Sequence, residues 1–97
     1  MAAKCRVART AEVDLLEIWT YIAEDDLDQA DAQTRRIFNH FEQLAMFPQS
    51  GRVRDDLEPG IRSSVVDKYV VLYHIIQAEP EILHVVSGYR DIAALFS

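Results

Sequence analysis

The sequence predicts an α+β domain in the order β-α-α-β-β-β with a short helical tail: an antiparallel sheet with a helical hairpin packed on one face. Three observations lead there. First, Tyr69-Val70-Val71-Leu72-Tyr73-His74-Ile75-Ile76 is almost entirely apolar, β-branched or aromatic and holds no Gly or Pro, which suits a strand. Its alternation puts Tyr69, Val71, Tyr73 and Ile75 on one face and Val70, Leu72 and Ile76 on the other, so both faces are apolar, as in a central strand. Second, residues 10–47 carry two apolar stripes at helical spacing, which need a sheet to lie on. Third, strand-like runs stand on either side of the central strand across short connections, the arrangement of an antiparallel meander.

Taken in order, Cys5-Arg6-Val7-Ala8 is a short strand, with Lys4, Arg6 and Ala8 alternating against Cys5 and Val7. Thr10 is placed to cap a helix whose first turn carries Glu12 and Asp14. Leu15, Ile18, Trp19 and Ile22 form its apolar stripe, with Trp19 as a packing anchor. Asp25-Asp26-Leu27-Asp28 reads as a tight turn, with Asp28 capping a second helix and Asp31 three residues on. That helix carries Thr34, Ile37, Phe38, Phe41, Leu44 and Ala45 at helical spacing and is expected to end near Met46-Phe47, ahead of Pro48. Residues 48–60 form one long irregular segment with two Pro and two Gly. Loops of that length in compact domains are often functional. A strand over Ile61–Val66, a turn at Asp67-Lys68, the central strand, a turn over residues 77–81 and a last strand over Ile82–Ser87 complete the sheet. Arg90–Phe96 is a short amphipathic tail, and the second sheet face is expected to stay partly open.

At 97 residues there is room for one core, so residues 1–97 are expected to form one domain. No apolar run reaches the ~20 residues of a membrane helix. The N-terminal residues lack the apolar stretch of a signal peptide, and Cys5 stands alone, so a reducing cytoplasm is the expected location. The formal net charge is −6, which argues against gripping nucleic acid through its phosphates. Glu12, Asp14, Glu17, Glu24, Asp25, Asp26, Asp28 and Asp31 follow one another with no base between them. They read as a solvated helix face or as a docking surface for a basic partner.

The chain also resembles a family. Phe47-Pro48-x-x-Gly51, Leu57-x-x-Gly60-Ile61-Arg62, Tyr69-Val70-Val71-Leu72-Tyr73 and Val85-Val86-Ser87-Gly88-Tyr89-Arg90-Asp91 are similar to the RelE/ParE superfamily of toxin-antitoxin toxins, in order and along essentially the whole chain. Asp14-Leu15-x-x-Ile18-Trp19-x-Tyr21-Ile22 is similar to the first helix of the ParE branch, the plasmid stabilisation type. The resemblance implies a toxin held inactive by a cognate ParD-like antitoxin, with no cofactor. RelE-like members cleave messenger RNA on the ribosome, whereas ParE-like members poison DNA gyrase.

Ribonuclease chemistry needs an acid or base at a 2′-hydroxyl and cations at the phosphorane. The candidates are Arg62, Tyr73 and Arg90, with His74 and His84 as further acids or bases. Against that, the RelE-like ribonucleases are strongly basic, while this chain is acidic and has no histidine near its end. The ParE branch is therefore expected, with no catalytic residue. Arg52, Arg54, Arg62 and Arg90 are expected to face a target or partner. Each also has a structural alternative: Arg62 could pair with Asp55, Asp56 or Glu58, Arg90 could tie the tail to the sheet, and Tyr73 reads as core. His74 and His84 lie on neighbouring strands, but three histidines with one on a helix do not make a metal site.

Overall fold

The structure, a computed structural model, describes residues 4–96. Its elements are β1 (Arg6–Val7), α1 (Arg9–Ala23), α2 (Leu27–Met46), β2 (Arg52–Val53), β3 (Arg62–Val66), β4 (Tyr69–Ile76) and β5 (Glu79–Ser87). Turns of 3-10 helix cover Pro48–Ser50 and Ile92–Phe96. The strands form one sheet in the order β1-β5-β4-β3-β2, with the eight-residue apolar run as its middle strand. The last four strands pair antiparallel, and β1, which precedes the helical hairpin, lies parallel to β5 at the far edge, so the sheet is mixed.

The alternation of β4 divides the core as the sequence implies. Tyr69, Val71 and Tyr73 pack with Ala11, Leu15, Ile37, Phe41 and Leu44 of the helices. Leu72 lies on the reverse side with Ile61 and Val86. That reverse side is not bare: Leu57 and the tail residues Ile92, Leu95 and Phe96 pack there, so the tail covers part of the expected opening.

Several local expectations change. Helix α1 starts two residues before a Thr10 cap would place it, at Arg9 after Ala8, with no side-chain cap. Thr10 instead donates its hydroxyl to the Leu83 carbonyl. Asp26, not Asp28, caps α2 by accepting from the Gln29 amide at 3.1 Å. An acid two residues earlier fits because Asp26 is extended, so its carboxylate lies under the first free amides. Phe38 leaves the expected stripe and stands 46% exposed, while Ala30 and Gln33 take buried positions. The 48–60 segment contains the short edge strand β2. The turn expected over residues 77–81 shrinks to Gln77-Ala78, both at positive φ, and Pro80 lies inside β5 opposite Ile75. Proline is tolerated there because β1 reaches only Glu81 and Ile82, leaving no outer partner for Pro80 among the described residues.

Candidate functional site

Tyr73 sits at the middle of the sheet and is fully buried. Its hydroxyl donates to the Pro48 carbonyl at 2.7 Å and accepts from the Gly51 amide at 2.9 Å. Burial pushes its pKa up, against the opposing pull of that amide and of the Arg62 charge. Arg62 stands directly opposite on β3, and its guanidinium donates to the carbonyls of Gln49 (3.1 Å) and Gly51 (2.9 Å). The two residues therefore grip the same loop after α2. Gly51 is required by this packing, because a Cβ there would overlap the Tyr73 hydroxyl. None of the three acids considered for Arg62 holds it. Asp56 takes Arg54 in a two-pronged bond at 3.0 Å, and Asp55 accepts the Gly60 amide. Gly60 turns at φ +90, a conformation that favours glycine.

Arg52 is exposed on the edge strand, and Arg90 is exposed just after β5. Neither has an ion pair among the described residues. Arg90 joins Ile18, Tyr21 and Tyr69 in lining a groove between α1 and the sheet. Tyr73 faces Ile82 across the sheet, whereas Arg90 lies beyond Ser87, which pairs with Tyr69. Four residues of strand, about 13 Å, separate those rows. The trio Arg62, Tyr73 and Arg90 is thus not gathered at one point.

The histidines are each engaged separately. His74 bonds Glu81 at 2.6 Å, His40 bonds Ser64 at 2.6 Å, and His84 bonds Asp14 at 2.9 Å. Burial lowers the His40 pKa. The Asp14–His84 contact is the arrangement that sequence reasoning missed. Asp14 reads as a first-turn helix acid, yet it is buried, and its Oδ2 also accepts the Val85 amide at 3.0 Å. A signal was available: Asp14 lies on the same helical face as Ala11, Leu15 and Ile18 and so had to point inward. A bulge at Leu83 turns His84 towards it. Together with the Ala8 amide on the Ile82 carbonyl and the Thr10 hydroxyl on Leu83, these bonds close β5's outer edge beyond the end of β1.

A helical hairpin laid on one face of a mixed five-stranded sheet, with the loop after α2 pinned by a strand tyrosine and arginine, defines a two-layer α+β protein. A structure of the chromosomal ParDE TA system from P. aeruginosa shares this fold, with a TM-score of 0.74 at 19% identity over 89% of this chain and 96% of that chain. The chain matches the family model for the ParE toxin of the type II toxin-antitoxin system, parDE, over residues 5–92. It is 37% identical over 92 residues to Toxin ParE3 of Caulobacter vibrioides, covering 92% of each. The chain belongs to the ParE toxin family of type II toxin-antitoxin systems. That membership implies an antitoxin partner. Among the described residues, no helix is long and apolar enough to cross a membrane.

Proposed function

We propose that this chain acts in the cytoplasm by binding and inhibiting DNA gyrase, without hydrolysis, until a ParD-like antitoxin silences it. The observation that carries the reading is the commitment of Tyr73 and Arg62 to the loop at residues 48–51. A ribonuclease needs an accessible acid or base beside cations that meet a phosphate. Here the strand tyrosine is buried with both its proton and an acceptor site in use, and each strand histidine is bonded to a carboxylate. The net charge of −6 further opposes a seat among ribosomal RNA.

On this reading Arg52 and Arg90 are the arginines free to meet the target. Arg54, held by Asp56, is a weaker contact, and Arg62 acts by shaping the loop. Incubating the chain with purified gyrase and relaxed plasmid tests the proposal. Loss of supercoiling that returns on adding the antitoxin is expected, with the Arg52→Ala, Arg90→Ala double variant about 10-fold weaker. Unaffected supercoiling, together with transcript cleavage in a translation extract, would replace this reading with a ribosome-dependent endoribonuclease.

A further inference from the structure

The groove between α1 and the sheet encloses about 410 Å³, and its two walls differ in charge. On the sheet side, the Gly88 amide bonds the Lys68 carbonyl and the Arg90 amide bonds the Ser87 carbonyl, each at 3.0 Å, so the chain after β5 turns back beside the start of β4. Lys68 and Arg90 thereby line the same groove, and neither has an ion pair among the described residues. Asp67, the acid next to Lys68, is committed to Arg36 and Gln33. On the helix side stand Glu17, Ile18 and Tyr21, while Asp14 turns its carboxylate inward to His84 and the Val85 amide. Tyr21 and Tyr89 are 74% and 96% exposed at this groove. Tyrosine and arginine are the side chains that most often anchor protein interfaces. The floor adds a sharper sign. Tyr69 is only 5% exposed, yet its hydroxyl has no hydrogen-bond partner among the described residues. No fully buried side-chain oxygen among those residues lacks a partner, so this hydroxyl keeps its access to solvent, and it does so in the groove that Tyr69 lines.

Two unpaired cations, a free hydroxyl on the floor and exposed aromatic rings at the rim together define an occupant. It is a peptide segment with a carboxylate beside a large apolar side chain. We infer that gyrase is held in this groove through such a segment of its surface. The carboxylate meets Lys68 and Arg90, the apolar side chain lies against Ile18, Tyr21 and Val85, and a backbone group of the segment bonds the Tyr69 hydroxyl. This rests on the reading that gyrase is the target, and it says where on the chain and by what chemistry that target is gripped. A nucleic-acid strand fits less well. It carries a negative charge at every nucleotide and would run past Glu17 and the other α1 acids Glu12 and Glu24, whereas a peptide sets a single carboxylate where the cations stand.

The test measures binding of the full chain to immobilised gyrase holoenzyme, beside the supercoiling assay. Lys68→Glu with Arg90→Glu should weaken gyrase binding by about 100-fold, with a shallower salt dependence. Arg9→Glu with Arg35→Glu, the same change of charge at exposed arginines outside the groove, should leave binding unchanged. Tyr69→Phe removes a hydroxyl that has no partner in the free chain, so Tm should hold while gyrase binding weakens by about 5–10-fold. That variant keeps the fold, so the inference does not depend on the charge variants folding. Wild-type affinity in both Tyr69→Phe and the Lys68/Arg90 variant, with supercoiling still lost, overturns the docking while leaving the gyrase reading intact. Equal weakening by the Arg9/Arg35 variant makes the effect one of net charge and overturns it too. If the Lys68/Arg90 variant loses affinity for single-stranded DNA but binds DNA-free gyrase as before, the groove belongs to nucleic acid and the inference is overturned. If it loses antitoxin affinity alone, the groove belongs to the antitoxin, with the same result. A wild-type chain that neither binds gyrase nor blocks supercoiling removes the target reading, and the docking falls with it.

Discussion

Tyr73 carries most of what one residue can do here. That it is core, and that its hydroxyl needs a partner, was readable from its place on an apolar strand. The partners were not readable, because the Pro48 carbonyl and the Gly51 amide lie more than twenty positions away in a segment without periodicity. Tyr73→Phe should destabilise by about 1–3 kcal/mol, since it strands the Gly51 amide without an acceptor. Gly51→Ala should be about as harmful through overpacking against the same ring, again ~1–3 kcal/mol. Urea unfolding of both variants checks these values, and the double variant should fall short of their sum because the two changes share one contact. Cys5 gives a chemical readout of burial. Its thiol is pushed up to about 11 by desolvation. Alkylation at pH 8 should therefore run about 100-fold slower than for an unperturbed cysteine and reach the ordinary rate in denaturant. The sign for stability follows: the folded state resists losing this proton, so stability declines as pH rises past the ordinary thiol range.

At the scale of elements, the helices and the three long strands were legible because periodicity reports burial directly. Their junctions were not. The β4–β5 connection shows why. Pro80 reads as a turn residue, and only the short reach of β1 makes it acceptable inside β5. The actual turn, Gln77-Ala78, has φ of +52 and +67, the two-residue geometry that Asn-Gly adopts without strain. Replacing it, Gln77→Asn with Ala78→Gly, should stabilise the fold by about 1–2 kcal/mol, seen as a higher Tm and a higher urea midpoint. The β3–β4 turn is fixed differently. Asp67, at φ +53, accepts from Arg36 and Gln33 of α2, and those bonds, Arg36 first, hold its carboxyl below the usual aspartate range. A depressed folded pKa adds stability above that range and loses it as the pH falls through the folded value. Asp67→Ala should flatten the acid limb of a Tm-against-pH curve, an effect limited by the exposure of the pair.

For the whole molecule, the decisive question is which surfaces the chain closes for itself. Composition and strand pattern imply one sheet face under helices and the other partly open. The tail changes that, because Ile92, Leu95 and Phe96 fold back over Leu72, Val86 and Ile61, and Phe96 meets the His84 ring edge-on at 6.3 Å. A short segment after Gly88 has too few residues to declare its packing partner in sequence. With that face occupied, the apolar groove beside β1, lined by Cys5, Val7, Phe38, Phe41, Ala45 and Met46, stays uncovered. Two outcomes separate face from edge. If the antitoxin lies along β1, the triple variant Ile92→Ser, Leu95→Ser, Phe96→Ser should lose about 1–2 kcal/mol of stability, a Tm lower by roughly 5–15 °C, and still bind antitoxin with wild-type affinity below its new melting range. If the antitoxin instead displaces the tail to reach the sheet face, the same variant, relieved of the competitor, should bind more tightly than wild type, and calorimetric titration distinguishes the two.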